Sequence, residues 1–238
     1  MVQKIKTLLI NLNIKKIYFL IFKKKQYNSY LIYTFSDEYL KFTHLLEAIN
    51  YVRVAELNQT YFEFGCHSGR TFSAAINHAK FLKLSNMQFY AFDSFEGLPD
   101  TEISADGIFK KGEYFTPLNH FKSIIKSKTG YSIVDQNIIK GFYSDSLTFD
   151  LQKRLPRIGV VHIDVDLYSS TFEVLHFIKP LIDIGTVILF DDWYCFAPGQ
   201  NKGESKAFNE FLQKHENFKV ENWKNYSTFG KSFIFTSI

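Results

Sequence analysis

The chain has 238 residues, 46% of them hydrophobic, and a formal net charge of +4. One α/β domain with an appended N-terminal segment suits that length better than two independent domains. Seven lysines and no acid fall within the first 25 residues, leaving −3 for the remainder, a poor surface for phosphate and an argument against a nucleic-acid partner. Two cysteines, Cys66 and Cys195, read as reduced thiols of a cytoplasmic protein rather than a disulfide framework.

The first apolar stretch, residues 8–22, is interrupted by Asn11, Asn13, Lys15 and Lys16. It is too short and polar to span a bilayer, and no small-residue cleavage site follows its basic start. It reads as an amphipathic helix that supports homo-oligomerisation or makes peripheral contact with an anionic membrane surface. Residues 1–35 are therefore set apart from a domain spanning 36–238. Ser36-Asp37-Glu38 resembles a helix start, and Tyr39, Phe42, Leu46, Ile49 and Val52 follow at helical spacing.

From residue 60 the pattern changes to short apolar runs alternating with helical stretches. Strands are expected over 60–64, 88–92, 138–141, 157–163 and 186–190, with helices near 70–84, 169–182 and 206–214 and another beginning at Pro117. Two further strands, near 218–223 and 231–236, are joined by a polar stretch too short for a helical crossover, so they should pair antiparallel. These features predict an α/β fold: a mainly parallel seven-stranded sheet with an antiparallel last strand and helices on both faces. Such an arrangement resembles the Rossmann-like sheet of class I methyltransferases, whose usual ending is an antiparallel last strand.

In open α/β sheets ligands bind at the carboxyl ends of the strands, and here those ends carry acids. The first strand leads into Glu63-Phe64-Gly65-Cys66-His67-Ser68-Gly69-Arg70, where Gly65 and Gly69 permit a tight turn and close approach to a ligand. Asp93, at the end of the second strand, is placed to accept hydrogen bonds from ribose hydroxyls. Together they indicate an adenosine-containing cofactor. Glu63 favours a sulfonium donor over a pyrophosphate, because its charge attracts the one and repels the other.

The second constellation is Asp164-Val165-Asp166 with Asp191-Asp192. On an extended chain Asp164 and Asp166 point the same way, and Asp191 and Asp192 end the neighbouring strand. Carboxylates brought this close repel unless a cation or proton intervenes. With no His or Cys pairing beside them, they suit Mg²⁺ or another divalent ion of oxygen-ligand preference. Such an ion polarises a substrate hydroxyl, and a remaining carboxylate serves as general base.

At these residues the chain resembles the macrocin O-methyltransferase family, metal-dependent enzymes that methylate deoxysugars of antibiotics. The resemblance covers roughly residues 60–211. It rests on Phe62-Glu63-Phe64-Gly65 with Ser68-Gly69, on Phe92-Asp93-Ser94-Phe95-Glu96-Gly97-Leu98-Pro99, on residues 141–147, on Asp164-Val165-Asp166-Leu167-Tyr168-Ser169-Ser170-Thr171 and on Asp191-Asp192-Trp193. It implies S-adenosylmethionine as methyl donor, held by Glu63, Gly65, Ser68, Gly69, Asp93, Ser94 and Asp164, with Ser144 and Asp145 near the adenine. It further implies Asp164, Asp191 and Asp192 as metal ligands, with Asp166 as general base acting beside Asp164. The loop over 95–115 corresponds to a mobile cover, and the acceptor to a sugar or nucleotide sugar of antibiotic or cell-surface saccharide biosynthesis.

Several residues invite a different role. His67 reads as a solvated loop histidine, His162 as a satisfied core residue and Cys66 as a small loop residue. Trp193 and Tyr194 either line an acceptor pocket or pack, and Glu204 approaches the metal or acceptor. A phenolic or catechol-like acceptor is the alternative within methyltransferases. A glycosyltransferase using Asp164-Val165-Asp166 as a DxD motif, a NAD-dependent oxidoreductase and a silent membrane-associated scaffold are the rivals outside them.

Overall fold

The computed structural model describes residues 29–99, 112–196 and 202–238, with side chains from residue 37 onward. The expected N-terminal amphipathic segment lies outside the described residues. Packing divides the chain between Leu40 and Lys41, and the sheet and the site both belong to the unit Lys41–Ile238. Among the described residues no helix is long and apolar enough to cross a membrane. Cys66 and Cys195 are free thiols.

In chain order the elements are α1 (Ser29–Val54), β1 (Thr60–Phe64), α2 (Arg70–Phe81), β2 (Gln88–Asp93), α3 (Leu118–Thr129), β3 (Ile138–Lys140), α4 (Tyr143–Ser146), α5 (Phe149–Arg154), β4 (Val160–Ile163), α6 (Tyr168–Ile178), β5 (Val187–Phe190), α7 (Gly203–Lys214), β6 (Lys219–Tyr226) and β7 (Gly230–Ser237). The seven strands form one sheet of order β3-β2-β1-β4-β5-β7-β6. Neighbours from β3 through β5 are parallel, and β7 is antiparallel to both β5 and β6. The switch in chain direction falls between β1 and β4, where an open α/β sheet forms its ligand crevice.

The central strands are short because they are apolar on both faces. Every residue of β1, β4 and β5 is buried, as a parallel sheet sandwiched between helices requires. On one face Leu45, Ile49, Phe72, Phe121 and Ile125 of α1, α2 and α3 cover the sheet. On the other, Val174, Leu175, Ile178, Phe208 and Phe211 of α6 and α7 do so.

Two expectations change. Helix α1 begins by Ser29, not at Ser36, and the stretch 29–35 contains no Gly or Pro to stop it. Its buried stripe is His44, Leu45, Ala48, Ile49 and Val52, shifted from the expected Tyr39, Phe42 and Leu46. Helices α4 and α5, four and six residues long, are additions to the expected elements, since neither spans enough turns to show a helical period.

Candidate active site

Beyond β1 the chain turns at Gly65 (φ 80°), where an added Cβ would lie 1.7 Å from the Asp164 carbonyl oxygen. Backbone meets backbone there, so no other residue fits. Gly69 (φ 69°) precedes α2, and a Cβ there would meet Phe121 and Ile125 of α3 at 2.9 and 2.8 Å. Its need for glycine arises from helix packing, not from a ligand.

Asp93 stitches this loop to the end of β2. Its carboxylate accepts the backbone N–H groups of Cys66 (2.7 Å), His67 (2.9 Å) and Phe95 (2.6 Å). Burial pushes its carboxyl upward, and these three donors act against that. Ser94 Oγ donates to the Gly97 carbonyl (2.8 Å) and accepts from Glu96 N–H (3.0 Å), closing a tight turn beside it.

These strand ends frame a cavity of about 740 Å³, within the usual range for a small-molecule site. Of the residues expected to hold a cofactor, Gly65, Asp93, Ser94, Ser144 and Asp164 line it, together with Asp166, Asp191 and Asp192. Glu63, Ser68, Gly69 and Asp145 are not among the lining residues. Glu63 is buried beneath the sheet's rim, where it accepts a hydrogen bond from Tyr61 Oη. Burial raises its carboxyl to about 8, against the pull of that bond and of Lys41.

The acids do not share an extended strand. β4 ends at Ile163, and Asp166 adopts a left-handed φ of 57°, with Leu167 N–H bonded back to the Val165 carbonyl at 2.5 Å. The two-residue spacing therefore does not aim Asp164 and Asp166 in parallel. Instead the Asp166 carboxyl hydrogen-bonds that of Asp192, a contact that requires a proton between them. Burial, then the charge of Asp164, lifts Asp166 to about 7. Left-handed non-glycine residues recur around the site at His67, Phe95 and Tyr114, the kind of strain that gathers at functional sites.

Asp191 has different company. Lys41, from α1, donates to its Oδ2. Burial is the largest influence and would raise the Asp191 carboxyl, but the Lys41 ammonium and the neighbouring His162 together outweigh it and hold the group at about 2. Its other oxygen, Oδ1, is buried without a hydrogen-bond partner and lies 3.8 Å from His162 Nε2, beyond hydrogen-bond reach. His162 is fully buried, and neither ring nitrogen has a partner. Ligand-type atoms of His162, Asp164 and Asp191 all lie within 4.8 Å of one another.

Orphaned buried polar atoms facing one point call for an ion or water, so this donor set fits a cation. His162, expected to be a satisfied core residue, is unsatisfied and stands beside the acids. Its signal was its place at the end of β4, two residues before Asp164.

Other residues take clear roles. Glu204, fully buried at the start of α7, accepts Asp192 N–H at 2.9 Å and Val165 N–H at 3.5 Å, so it braces both acidic loops. His67 is exposed but lines the cavity, edge-on to Tyr114 at 5.7 Å. Trp193 packs on Phe190 and Phe233, so the packing alternative describes it, whereas Tyr194 is exposed with its Oη bonded to Asn225. Of the expected cover over 95–115, residues 100–111 lie outside the described set.

A Rossmann-like sheet with β7 inserted antiparallel, a glycine loop and acids at the ends of β2, β4 and β5 define a class I methyltransferase. The chain belongs to the macrocin-O-methyltransferase (TylF) family, which matches residues 37–220. Demethyldecarbamoylnovobiocin O-methyltransferase of Streptomyces niveus is 25% identical over 116 residues, 44% of this chain. The match spans 42% of that curated relative's length. Among solved structures, the O-methyltransferase NovP aligns with a TM-score of 0.66 at 17% identity, covering 82% of this chain and 79% of that one. CalS11, a calicheamicin methyltransferase, aligns at 0.61 with 19% identity over 81% and 78%. Its apo form, described as a TDP-rhamnose 3'-O-methyltransferase, aligns at 0.56 with 20% identity over 81% and 79%. At these identities the structures speak for the fold. Family membership places the chain among O-methyltransferases and sets aside the glycosyltransferase and oxidoreductase readings.

Proposed function

We propose that the protein transfers the methyl group of S-adenosylmethionine to a hydroxyl of a small acceptor, a sugar or nucleotide sugar, with help from a divalent cation such as Mg²⁺. The observation that carries this reading is one cavity lined at one end by Gly65, Asp93 and Ser94 and at the other by Asp164, Asp166, Asp191 and Asp192. The sugar acceptor is supported by CalS11, described as acting on TDP-rhamnose. Antibiotic and cell-surface saccharide precursors both meet that chemistry. A cytoplasmic location and a peripheral or oligomerising N-terminus remain part of the same proposal.

S-adenosylmethionine supplies an electrophilic methyl on a sulfonium centre. Gly65, Ser94, Asp93 and Ser144 would hold it, with Asp164 near its reactive end. Asp164, Asp191 and Asp192 would hold the cation, whose chemistry is Lewis acidity toward an acceptor hydroxyl. In its deprotonated form Asp166 accepts the proton from that hydroxyl. Glu204 fixes Asp192 through its backbone.

Calorimetric titration with S-adenosylhomocysteine tests the donor site. Wild type should bind, and Asp93→Ala should bind at least about tenfold more weakly, roughly 1.4 kcal/mol. Binding by the folded wild type is the crux: if the product analogue fails to bind with or without Mg²⁺, the reading is wrong. Binding without turnover of any nucleotide sugar, but with turnover of catechols, would move the acceptor to phenols.

A further inference from the structure

Helix α1 places a lysine where its buried stripe would otherwise be apolar. Lys41 lies one turn before Leu45 and two before Ala48, both fully buried. The helix is pinned just beyond it: His44 Nε2 meets Ser232 Oγ at 2.7 Å, and Glu47 pairs with Lys224 at 2.8 Å. From this fixed backbone the Lys41 side chain reaches the acid cluster and donates to Asp191, the two side chains being 18% and 13% exposed. It is the ammonium nearest Asp191 among the described residues, and the charges of Asp164 and Asp192 also act on it.

We propose that the Lys41 ammonium is a tethered counter-ion that occupies Asp191 in the metal-free protein and competes with the divalent cation for that carboxylate. The proposal rests on the metal reading above. A +1 charge held against a carboxylate repels a +2 charge seeking the same oxygens, and the repulsion is weakly screened in a buried site. The ammonium nevertheless lowers the cost of burying several acids together when no metal is present. Its flexible four-carbon stem lets it withdraw without moving α1, and Glu63, whose carboxyl already feels it, is another acid within its field. Opposite Lys41, His162 and the unpartnered Oδ1 of Asp191 leave the other side of that carboxylate open to an ion. Metal affinity would then be set partly from the N-terminal helix, outside the strand ends that supply the ligands.

Calorimetry with Mn²⁺ on the full chain provides the test. Lys41→Met keeps the apolar stem and removes the charge, and it should tighten Mn²⁺ binding at least tenfold. Lys41→Arg keeps the charge and should bind within threefold of wild type. Without metal, Lys41→Met should melt below wild type, and saturating Mn²⁺ should close or reverse the gap. Should Lys41→Met fold only with Mn²⁺ present, the readout becomes metal release to excess EDTA, expected to be slower than from wild type.

Equal or weaker Mn²⁺ binding by Lys41→Met, or equal or faster release, would overturn the proposal while leaving the metal reading intact. Absence of Mn²⁺ binding in both proteins, with S-adenosylhomocysteine still bound, would remove the metal reading and this proposal together.

Discussion

The two ends of the cavity are built on opposite principles. Around β1 and β2 a charged group is well supplied with hydrogen bonds: Asp93 takes three backbone N–H groups and keeps acceptor capacity for a ligand. Around β4 and β5 the reverse holds. Asp164, Asp166, Asp191, Asp192 and Glu204 crowd together, burial pushes every one of these carboxyls upward and four of the five stay raised, and Lys41 is the cation that meets them. A carboxylate held by backbone donors is a fixed acceptor that shapes a pocket. A cluster short of counter-charge is a site that gains stability from whatever positive charge or proton arrives. The first end can be rigid without ligand, whereas the second is completed by it.

The sharpest way to separate the two ends is Asp191→Asn. It removes one acid from the cluster, keeps the shape and leaves the glycine loop untouched. Methyl transfer to any accepted hydroxyl should fall at least about 10³-fold, roughly 4 kcal/mol of transition-state stabilisation. Affinity for S-adenosylhomocysteine should stay within about threefold of wild type, a shift below about 1 kcal/mol. A parallel loss of donor affinity would mean that the two ends form one cooperative unit and do not differ in kind.

The legibility of the sequence follows the same division. Apolar runs marked the central strands, which are buried on both faces, whereas the edge strand β6 is largely exposed and carries no such run. The acids at the strand ends were legible for the complementary reason: nothing in core packing asks for them. Asp93 is legible as a site residue, but its bonds to the loop backbone are not, since which N–H groups face a carboxylate depends on the turn. The parallel aim of Asp164 and Asp166 failed because the chain leaves the strand at Ile163 and Asp166 turns left-handed. His162, Lys41 and Glu204 were missed or half-read for one shared reason. Each reaches the cluster from the interior or from another element, and only the packed sheet brings residues 41, 162 and 204 to one place.

A second test concerns Glu63, which lies beneath both ends. Its folded carboxyl stands at about 8 against an ordinary 4.5. Between those values the native state holds a proton that the unfolded chain has released, so the unfolding free energy falls as pH rises. The contribution from protonated Glu63 is complete below about pH 4.5 and lost by about pH 8. Within that window each pH unit removes up to about 1.4 kcal/mol. Other raised acids add to the slope, so the informative quantity is the difference between wild type and Glu63→Gln in urea melts without metal. Relative to the variant, wild type should lose on the order of 1 kcal/mol or more from pH 5 to pH 8. A constant difference across that range would show that Glu63 is ionised in the folded protein.

The smallest expected effect probes the brace between the acidic loops. Glu204 lies among acids that push its carboxyl well above the ordinary range, burial being the largest cause, with Asp192 next. A neutral Glu204 accepts from Asp192 N–H through one oxygen, and a glutamine amide oxygen can do the same. Glu204→Gln should therefore change stability at neutral pH by no more than about 0.5 kcal/mol, the range of a substitution that keeps its hydrogen bond. Glu204→Leu fills similar space but leaves that N–H buried and unpaired, so it should cost about 1–3 kcal/mol. Denaturant melts of the pair measure the difference. Equal stability of the two variants would mean that the backbone of Asp192 does not depend on Glu204, and that the acidic end is held by its strands alone. A large loss in both would mean that Glu204 is charged, which would require a cation closer to it than Lys41.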